Sequence, residues 1–561
     1  MTEEKQQQRY WRSVEEALAH IDQADRGRPR QHFLILGAGI AGLAAAFELA
    51  GRGHRVEILE ATADRVGGRL WTWRSEDGRF YGERSAMRIP HNHDYTHHYL
   101  AKAGLGSGDL RPFCNSLGTG YFAIGDTLAR ETEYSQKIYP LFHDRLTPEE
   151  RREAAQNPGN LLGYYQRDVM NELTEERRAA LLAGDFRDPF LEQLDRQSWY
   201  QHLQSAGASE GALDLMGRVL GIAAVWDWSM AALLRDELNH LNPKFEEIIG
   251  GFDRLPTGLR DRLPPGVHIR FNQEVEDIFP DRKVVQVRDR GSSAVRFQHF
   301  QNLLVTLPFP VLAKMPLEGV SRPKTAAIRG MGYASACKDL LAYETRFWED
   351  EGIFGGRSKT DGPDQKVEYF REAYYPMDNI PAAEPEPSGL TFQTRSGDEL
   401  SGMFGLYVGT TEEAAPNSAS LDNASESRAK ASTSGPATLL GAYTLNDGAK
   451  ALQNLSPEQR RAAVIGSLEA VHGAAVRNPV HHLAWSWDDY RWTQGGVGIT
   501  EPNYLVDHWA EAKRPEGRVF FAGEHLSIAP AWIQGALESS LREVAEMLRT
   551  SGTEGEGGGD S

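Results

Sequence analysis

The chain contains very little cysteine: only 2 of its 561 residues, Cys114 and Cys337. So few thiols exclude a disulfide framework and any zinc or iron–sulfur site built mainly from thiolates. The sequence also has no run of about 18 consecutive apolar residues, and its first residues carry no apolar core of the signal-peptide type. These absences predict a soluble, cytoplasmic protein without a membrane partner.

The chain also lacks an excess of basic residues. It has 61 lysines and arginines against 79 aspartates and glutamates, which gives a net charge of -18. Because nucleic-acid binding needs a basic face for the phosphates, no nucleic-acid partner is expected. The hydrophobic fraction of 40% and the charged fraction of 25% are typical of globular proteins. The length predicts about three to four domains, of which at least two share a core.

A strand–turn–helix–strand pattern stands near the start of the sequence. Residues 32–36 predict a buried strand, 41–49 a helix and 54–59 a second strand. The turn reads Gly37-Ala38-Gly39-Ile40-Ala41-Gly42, and its glycines permit a tight turn and close approach to a pyrophosphate at a helix N-terminus. Glu60 ends the second strand, where a carboxylate binds ribose hydroxyls. The pattern predicts a dinucleotide site.

Two further segments favour FAD over NAD. Arg65-Val66-Gly67-Gly68-Arg69 offers more amides and a cation to a pyrophosphate, which a nicotinamide enzyme does not need. Far along the chain, Phe521-Ala522-Gly523-Glu524-His525 ends another predicted strand, and residues 531–536 begin a helix. These segments resemble the FAD-dependent amine oxidase family. The resemblance implies FAD as the cofactor, with Glu524 at the ribityl chain and a helix dipole that stabilises reduced flavin.

The resemblance also implies which residues contact the cofactor. Residues 247–256 match the segment at which the chain re-enters the FAD domain, and Val275 beyond it is the expected adenine contact. The full set of expected cofactor contacts is Gly37, Gly39, Ile40, Ala41, Gly42, Glu60, Ala61, Gly68, Arg69, Ala86, Met87, Arg88, Val275, Glu524, Trp532, Ile533 and Ala536.

One motif points to a branch of this family. Ala86-Met87-Arg88-Ile89-Pro90 looks like the L-amino-acid oxidases, in which the arginine of this motif binds the substrate carboxylate. A planar guanidinium suits a carboxylate because it makes two parallel charge-assisted hydrogen bonds. Simple amines have no carboxylate, so Arg88 distinguishes between the substrate classes.

The same branch implies further site residues. Lys338 resembles its catalytic lysine, which holds a water against flavin N5, and Tyr375 in Tyr374-Tyr375-Pro376 is the expected second carboxylate contact. Trp485 and Trp532 are the candidate aromatic walls of the substrate pocket, although tryptophans more often serve packing alone.

The expected reaction is oxidative deamination of an L-amino acid by molecular oxygen, giving the 2-oxo acid, ammonia and hydrogen peroxide. The length and C-terminal arrangement are similar to bacterial oxidases of basic amino acids, especially L-arginine. A guanidinium substrate needs a carboxylate in the pocket. Asp227 in the predicted helical region is the candidate, and a helix N-cap before residues 229–231 accounts for it equally well.

Other functions remain open from the sequence. The alternatives are a flavin-dependent amino-acid 2-monooxygenase that gives an amide, a monoamine or polyamine oxidase, and a flavin-binding module without catalysis. The family resemblance implies a homo-oligomer, either a dimer or larger. His91, His93, His97 and His98 lie close together, as do His481 and His482, but no nearby carboxylate triad or thiol completes a metal site. No metal is expected.

The predicted fold class is α/β: a Rossmann-type FAD-binding domain with a mixed-sheet substrate-binding domain and a helical insertion domain. The FAD-binding domain is discontinuous, at 32–72, 245–333 and 512–549. The substrate-binding domain takes 73–135 and 334–511, and the helical domain takes 136–244. Residues 1–31 form a polar lead-in, 411–437 a flexible insertion poor in large apolar groups, and 550–561 a disordered tail.

Overall fold

The computed structural model describes residues 12–239, 244–361, 371–378, 390–393, 399–402 and 434–550. The helix Val14–Asp25 in the lead-in is capped by Ser13, whose hydroxyl accepts a hydrogen bond from the Glu16 amide at 3.3 Å. Residues 411–433 of the predicted insertion and 551–561 of the predicted tail lie outside the described residues. Residues 434–437 do not belong to a loop, because they begin the strand Ser434–Leu445.

In the described part of the chain, five parallel strands form one sheet. Their order across the sheet is Val267–Arg270, Arg55–Leu59, His32–Leu36, Asn302–Val305 and Val519–Phe521. The central strand is almost wholly buried, because the helices Ile40–Gly51 and Ile533–Thr550 pack over it. A parallel sheet covered by helices has this near-continuous apolar strand. The predicted Rossmann-type α/β fold class is confirmed.

A second, mixed sheet stands beyond the carboxyl ends of the parallel strands. Its strands, in spatial order, are His481–Ser486, Ala336–Thr345, Ser434–Leu445, Arg371–Tyr374, Arg357–Thr360, Tyr121–Ile124 and Thr127–Arg130. Neighbouring strands are antiparallel apart from the parallel pair Arg357–Thr360 and Tyr121–Ile124.

A run of helices lies between two strands of the parallel sheet that are consecutive in the chain, Arg55–Leu59 and Val267–Arg270. These helices are Pro148–Ala154, Pro158–Glu172, Glu175–Ala183, Pro189–Asp195, Trp199–Ser205, Glu210–Leu215 and Met230–Asn239. Thr147 and Thr174 cap two of them through side-chain hydrogen bonds of 3.3 and 3.4 Å. Such caps satisfy amides that have no partner within the helix.

Smaller sheets and helices complete the described structure. The remaining strands are Thr72–Arg74 with Tyr81–Glu83, Ile89–Pro90 and Leu110–Phe113 on either side of Phe245–Ile248, Gln273–Phe279 with Val284–Asp289 and Val295–His299, Gly332–Ala334 with Val497–Ile499, and Leu390–Gln393 with Glu399–Gly402. The remaining α-helices are Asp94–Lys102, Arg254–Asp261, Phe309–Leu312, Arg322–Gly330, Phe347–Asp350, Asn446–Gln453, Pro457–His472, Tyr504–Asp507 and Trp509–Lys513. Over the described ranges, no helix combines the length and the apolar character needed to cross a membrane.

Candidate active site

A cavity of about 380 Å³ extends from the carboxyl ends of the parallel strands towards the mixed sheet. Two glycine turns and the start of the final helix border its first half. Its second half is bordered by Arg88, Tyr374, Tyr443, Leu220, Gly221 and residues 223–225. Ligands of open α/β sheets bind outside the carboxyl ends of the strands, and cavities of this size hold small molecules.

The first glycine turn connects the central strand to the helix Ile40–Gly51. Gly37 has a φ of +97°, which a residue with a side chain adopts only with strain. A Cβ atom on Gly42 would lie 2.1 Å from the Gly37 carbonyl oxygen, so only glycine permits this close packing. At Gly39, a Cβ would meet no described atom within 4 Å. Gly39 also provides no side-chain cap, so the first helix amides remain available to an anion.

Glu60 is held at the edge of this turn. One carboxylate oxygen accepts a hydrogen bond from the Ala38 amide at 2.8 Å, and the other accepts from the Thr62 amide at 2.9 Å. The backbone N–H of Gln273 donates to the backbone carbonyl of Glu60 at 2.8 Å. This bond brings the strand that carries Val275 to the same end of the cavity. An acid and an apolar side chain thus lie where a ribose and its base would bind.

The second glycine turn lies against the first. Gly67 and Gly68 both have positive φ, at +103° and +58°, and the Gly67 amide donates to the Ala38 carbonyl at 2.8 Å. Arg69 follows directly and donates to the Glu524 carboxylate at 2.6 Å. The two turns and one cation therefore surround the middle of the cavity, the region suited to a pyrophosphate.

Glu524 connects this region to the final helix. Its carboxylate also accepts hydrogen bonds from the amides of Gly498 at 3.1 Å and Ala531 at 2.8 Å. Burial alone would raise the pKa of Glu524, but the adjacent Arg69 guanidinium lowers it below its ordinary value. The carboxylate is therefore ionised, and it fixes the loop that leads to Ile533, where the helix begins.

The arrangement fits FAD. An acid for a ribose, two open glycine turns and the first turn of a buried helix follow one another along the cavity. Of the expected cofactor contacts, Gly42 alone is not in the cavity wall formed by the described residues, because it packs beneath the turn. The other expected contacts border the cavity.

Arg88 extends into the second half of the cavity. Its guanidinium carbon lies 5.0 Å from the centre of the Phe245 ring and 5.8 Å from that of Trp532. Its Nη1 donates to the Asn115 side-chain oxygen. The Phe245 and Trp532 rings are stacked, with centroids 6.3 Å apart and an interplanar angle of 7°. Aromatic faces and one amide thus orient the guanidinium, as a carboxylate clamp requires.

The expectation for Tyr375 is corrected by the structure. Tyr375 is buried away from the cavity, and its hydroxyl makes hydrogen bonds with Ser358 at 2.7 Å and His472 at 2.8 Å. Tyr374 borders the cavity instead. Successive residues of an extended segment point to opposite sides, so choosing the wrong member of a Tyr-Tyr pair places the hydroxyl on the wrong face.

Tyr443 is the tyrosine that sequence reasoning missed. It lies opposite Lys338 on the neighbouring strand of the mixed sheet, and its side chain borders the cavity. Burial raises the pKa of the Tyr443 hydroxyl, which the nearby positive charge of Arg88 partly opposes. The hydroxyl therefore stays protonated and can donate a hydrogen bond near Arg88. Its signal in the sequence was the short apolar run at 439–443, which is typical of a buried strand and by itself indicates no partner.

Trp485 and Asp227 also lie elsewhere than expected. Trp485 packs edge-on against Trp71 at 4.9 Å and under the Arg84 guanidinium at 4.2 Å, so it belongs to an aromatic cluster beside the cavity. Asp227 is exposed, because its turn faces outward between the buried Val225 and Trp228. Its alternative role as an N-cap is also wrong, since Ser229 caps the following helix at 3.3 Å. Trp532 does border the cavity.

Two buried acids in the cavity wall were missed as well. Asp236 accepts a hydrogen bond from the Trp532 indole at 3.3 Å. Glu372 forms a 2.7 Å ion pair with Arg357 and accepts from the Tyr374 hydroxyl at 2.8 Å. Burial would raise the pKa of Glu372, but Arg357 and Lys359 together lower it below its ordinary value. The sequence signal for Asp236 was its position as an acid within the helical apolar pattern of residues 230–238.

Lys338 is close to the cavity but separated from it by one segment of chain. Its ammonium donates to the Ser85 carbonyl and lies 3.5 Å from the Met87 sulfur. Ser85 and Met87 border the main cavity, whereas Lys338 borders a second cavity behind them. The expected position of Lys338 beside the cofactor is therefore corrected: in the described structure, the Ser85–Met87 backbone lies between Lys338 and the main cavity.

The clustered histidines contact acids and aromatic rings. His91 and His97 face the Glu246 carboxylate at 3.4 and 3.9 Å, and His93 packs edge-on against Trp532 at 5.2 Å. Over the described residues, no group of three or more His, Cys, Asp or Glu side chains has the geometry of a metal site.

A dinucleotide cavity that continues into a pocket with an arginine clamp and aromatic walls defines a cofactor-dependent oxidoreductase. The chain belongs to the family described as flavin containing amine oxidoreductase, whose model matches residues 40–548. FAD is its cofactor, in agreement with the prediction from the glycine motifs.

The chain is similar in sequence to two amino-acid oxidases and similar in fold to two solved amine oxidases. It is 28% identical to an L-amino-acid oxidase of Siganus canaliculatus, over 95% of this chain and 87% of that protein. It is 29% identical to the flavin-dependent L-tryptophan oxidase RebO of Lentzea aerocolonigenes, over 92% and 98%. The predicted resemblance to L-amino-acid oxidases is confirmed as a similarity. A putrescine oxidase variant (TM-score 0.64, 19% identity, 93% and 100% coverage) and the cyclohexylamine oxidase of Brevibacterium oxydans (0.63, 17%, 93% and 99%) share the fold.

Proposed function

We propose that this protein is an L-amino-acid oxidase, which converts an L-amino acid and oxygen into the 2-oxo acid, ammonia and hydrogen peroxide. The observation that carries the proposal is the Arg88 guanidinium, held over two aromatic rings in the second half of the FAD cavity. A simple amine offers no group for this cation, whereas an amino acid offers its carboxylate. The similarity to two amino-acid oxidases supports the same substrate class.

The residues of the pocket act by binding and orientation. Arg88 takes the substrate carboxylate in a bidentate pair, and the protonated Tyr443 hydroxyl donates a further hydrogen bond. The Trp532 ring, which borders the cavity and stacks on Phe245, limits where the rest of the substrate can lie. Bound FAD supplies the hydride acceptor. Fixing the α-carbon in one orientation lowers the barrier, because the entropy of alignment is lost on binding rather than in the reaction.

A substrate panel tests the proposal directly. The purified holoenzyme is incubated in air with L- and D-amino acids and with carboxylate-free amines, and peroxide, ammonia and 2-oxo acid are measured. The proposal expects all three products in equal amounts from L-amino acids alone. Formation of an amide and carbon dioxide would instead identify a monooxygenase, and faster turnover of an amine would identify an amine oxidase.

The two tyrosine positions provide a matched comparison. Tyr443→Phe should raise the KM for amino acids about tenfold, because one hydrogen bond to a charged group contributes about 1.5 kcal/mol. Tyr375→Phe should leave KM unchanged and lower the free energy of unfolding by about 1 kcal/mol, since its hydroxyl bonds only Ser358 and His472 in the described structure. Steady-state kinetics and urea unfolding measure both effects. If instead Tyr375→Phe raises the KM and Tyr443→Phe does not, Tyr375 rather than Tyr443 binds the substrate carboxylate.

We also propose that the substrate side chain is basic, as in L-arginine, with Asp236 as the acid that faces it. Asp236→Asn keeps an oxygen for the Trp532 indole and removes the charge. It should raise the KM for L-arginine about tenfold and change that for L-leucine by less than about twofold, as expected for loss of about 1.4 kcal/mol. Asp227→Asn, at an exposed position, should change neither value. Equal effects of Asp236→Asn on both substrates would exclude a charge-specific role.

A further inference from the structure

A second cavity of about 140 Å³ lies behind the segment Ser85–Met87. Among the described residues it shares Met87 and Tyr374 with the main cavity, so these two side chains lie between the two spaces. Most of the charged groups around the second cavity are paired with one another. Arg111 pairs with Glu247 at 2.5 Å, and Arg346 pairs with Asp378.

Lys338 is a buried cation in the wall of this cavity and lies directly behind Met87. Its side chain is 4% exposed, and its contacts are the Ser85 carbonyl, the Met87 sulfur and, at 5.2 Å, the face of the Tyr443 ring. These contacts satisfy the ammonium without a carboxylate in direct contact. Burial lowers the pKa of Lys338 to about 7, with Glu83 opposing that shift and Arg88 adding to it.

Glu83 is the acid that faces the same space. It ends the short strand Tyr81–Glu83, and its carboxylate accepts hydrogen bonds from the Phe252 amide at 3.0 Å and the Thr72 hydroxyl at 3.0 Å. Burial raises the pKa of Glu83 to about 7; these donors and Lys338 oppose the shift, and Asp253 adds to it. Over the described residues no ion pair joins Glu83 to a cation at direct contact distance, and both Glu83 and Lys338 border the second cavity.

We propose that water in the second cavity bridges Glu83 to Lys338, and that Glu83 is a positioning residue that favours the protonated form of Lys338 behind Met87. A cavity of this volume accommodates several water molecules, and polar groups on both sides supply the partners that buried water needs. The two groups then titrate as one coupled pair rather than as independent residues.

The pair suits the proton balance of the proposed function, on which this role rests. Converting an α-ammonium group to an iminium group releases one hydride and one proton. Reducing oxygen to hydrogen peroxide consumes that hydride and one proton. The Glu83–Lys338 pair can take up the first proton and return it for the second step.

The test uses the absorption of the resting holoenzyme as a function of pH, without substrate, so its outcome does not depend on the amino-acid oxidase proposal. The wild type should show one spectral transition near neutral pH, because a charge behind Met87 perturbs bound FAD. Glu83→Gln removes the negative charge that favours ammonium, so the transition should move down by about one pH unit. Lys338→Met should abolish it.

Matched variants exclude a general effect on the cavity. Glu247→Gln makes the same chemical change in the wall of the same cavity, but at a carboxylate already paired with Arg111. It should leave the transition in place. Thr72→Val preserves shape, removes one hydrogen bond to Glu83 and should give a smaller downward shift; it serves where Glu83→Gln does not fold. A transition that is unchanged in Glu83→Gln and Thr72→Val, or that persists in Lys338→Met, overturns the proposal.

Discussion

Arg88→Ala should lower kcat/KM for L-amino acids about 10²- to 10³-fold. Two charge-assisted hydrogen bonds to a carboxylate contribute about 3 to 4 kcal/mol in a partly buried site, and the variant loses both. Arg88→Lys should recover only part of this loss, because an ammonium cannot make two parallel bonds in one plane. Oxidation of any carboxylate-free amine that the enzyme accepts should be unaffected. Steady-state kinetics with a matched amino acid and amine measure the difference.

Arg84 provides the control within the same segment. Its guanidinium lies over the rings of Trp71 at 3.9 Å and Trp485 at 4.2 Å, outside the cavity. Arg84→Ala should therefore change the selectivity between amino acid and amine by less than about twofold, even if stability decreases. If Arg84→Ala and Arg88→Ala reduce amino-acid turnover equally, the carboxylate clamp is not at Arg88.

Gly42→Ala should abolish FAD binding. The added methyl group would lie 2.1 Å from the Gly37 carbonyl oxygen and 3.3 Å from the Ile35 side chain. A backbone oxygen cannot relieve the clash by changing rotamer as a side chain can. The helix must therefore move away from the strand, and the glycine turn must open. The variant should be purified colourless, and its released-flavin content should fall at least about tenfold, which corresponds to about 1.4 kcal/mol or more of binding free energy.

Gly51 makes the control for this variant in the same helix. A Cβ atom at Gly51 would meet no described atom within 4 Å, and its φ is not positive. Gly51→Ala should therefore retain a full complement of FAD and raise the free energy of unfolding by up to about 1 kcal/mol, since alanine favours helix. Loss of flavin from both variants would point to helix stability rather than to the turn.

The cofactor half of the site could be predicted from the sequence because backbone geometry determines it. Gly37, Gly67 and Gly68 adopt positive φ, and Gly42 admits no side chain; such requirements leave a local pattern of glycines that can be read without the fold. Glu60 and Glu524 were predictable in the same way, since each ends a strand that runs into this turn region.

The substrate half could not be predicted as well because it is assembled from side chains that are distant in sequence. Whether Tyr374 or Tyr375 enters the cavity depends on which face of one strand is turned inward. Tyr443 lies opposite Lys338 through the register of two neighbouring strands, and Asp236 reaches Trp532 because its helix packs against the loop that precedes the final helix. No local pattern carries this information. The exposed Asp227 shows the consequence, because proximity in sequence to the helical region did not place it in the pocket.

The parallel sheet has a consequence for how the protein is made. Val519–Phe521 pairs with Asn302–Val305 at the edge of the sheet, and Glu524 beyond it completes the bonds around Arg69. The ribosome releases the early strands long before this edge exists. The nascent chain therefore stays partly open, with one wall of its flavin pocket missing, until this segment has left the ribosome. Until this segment joins the sheet, the pocket lacks Glu524 and the helix that follows it, so tight FAD binding depends on this edge strand.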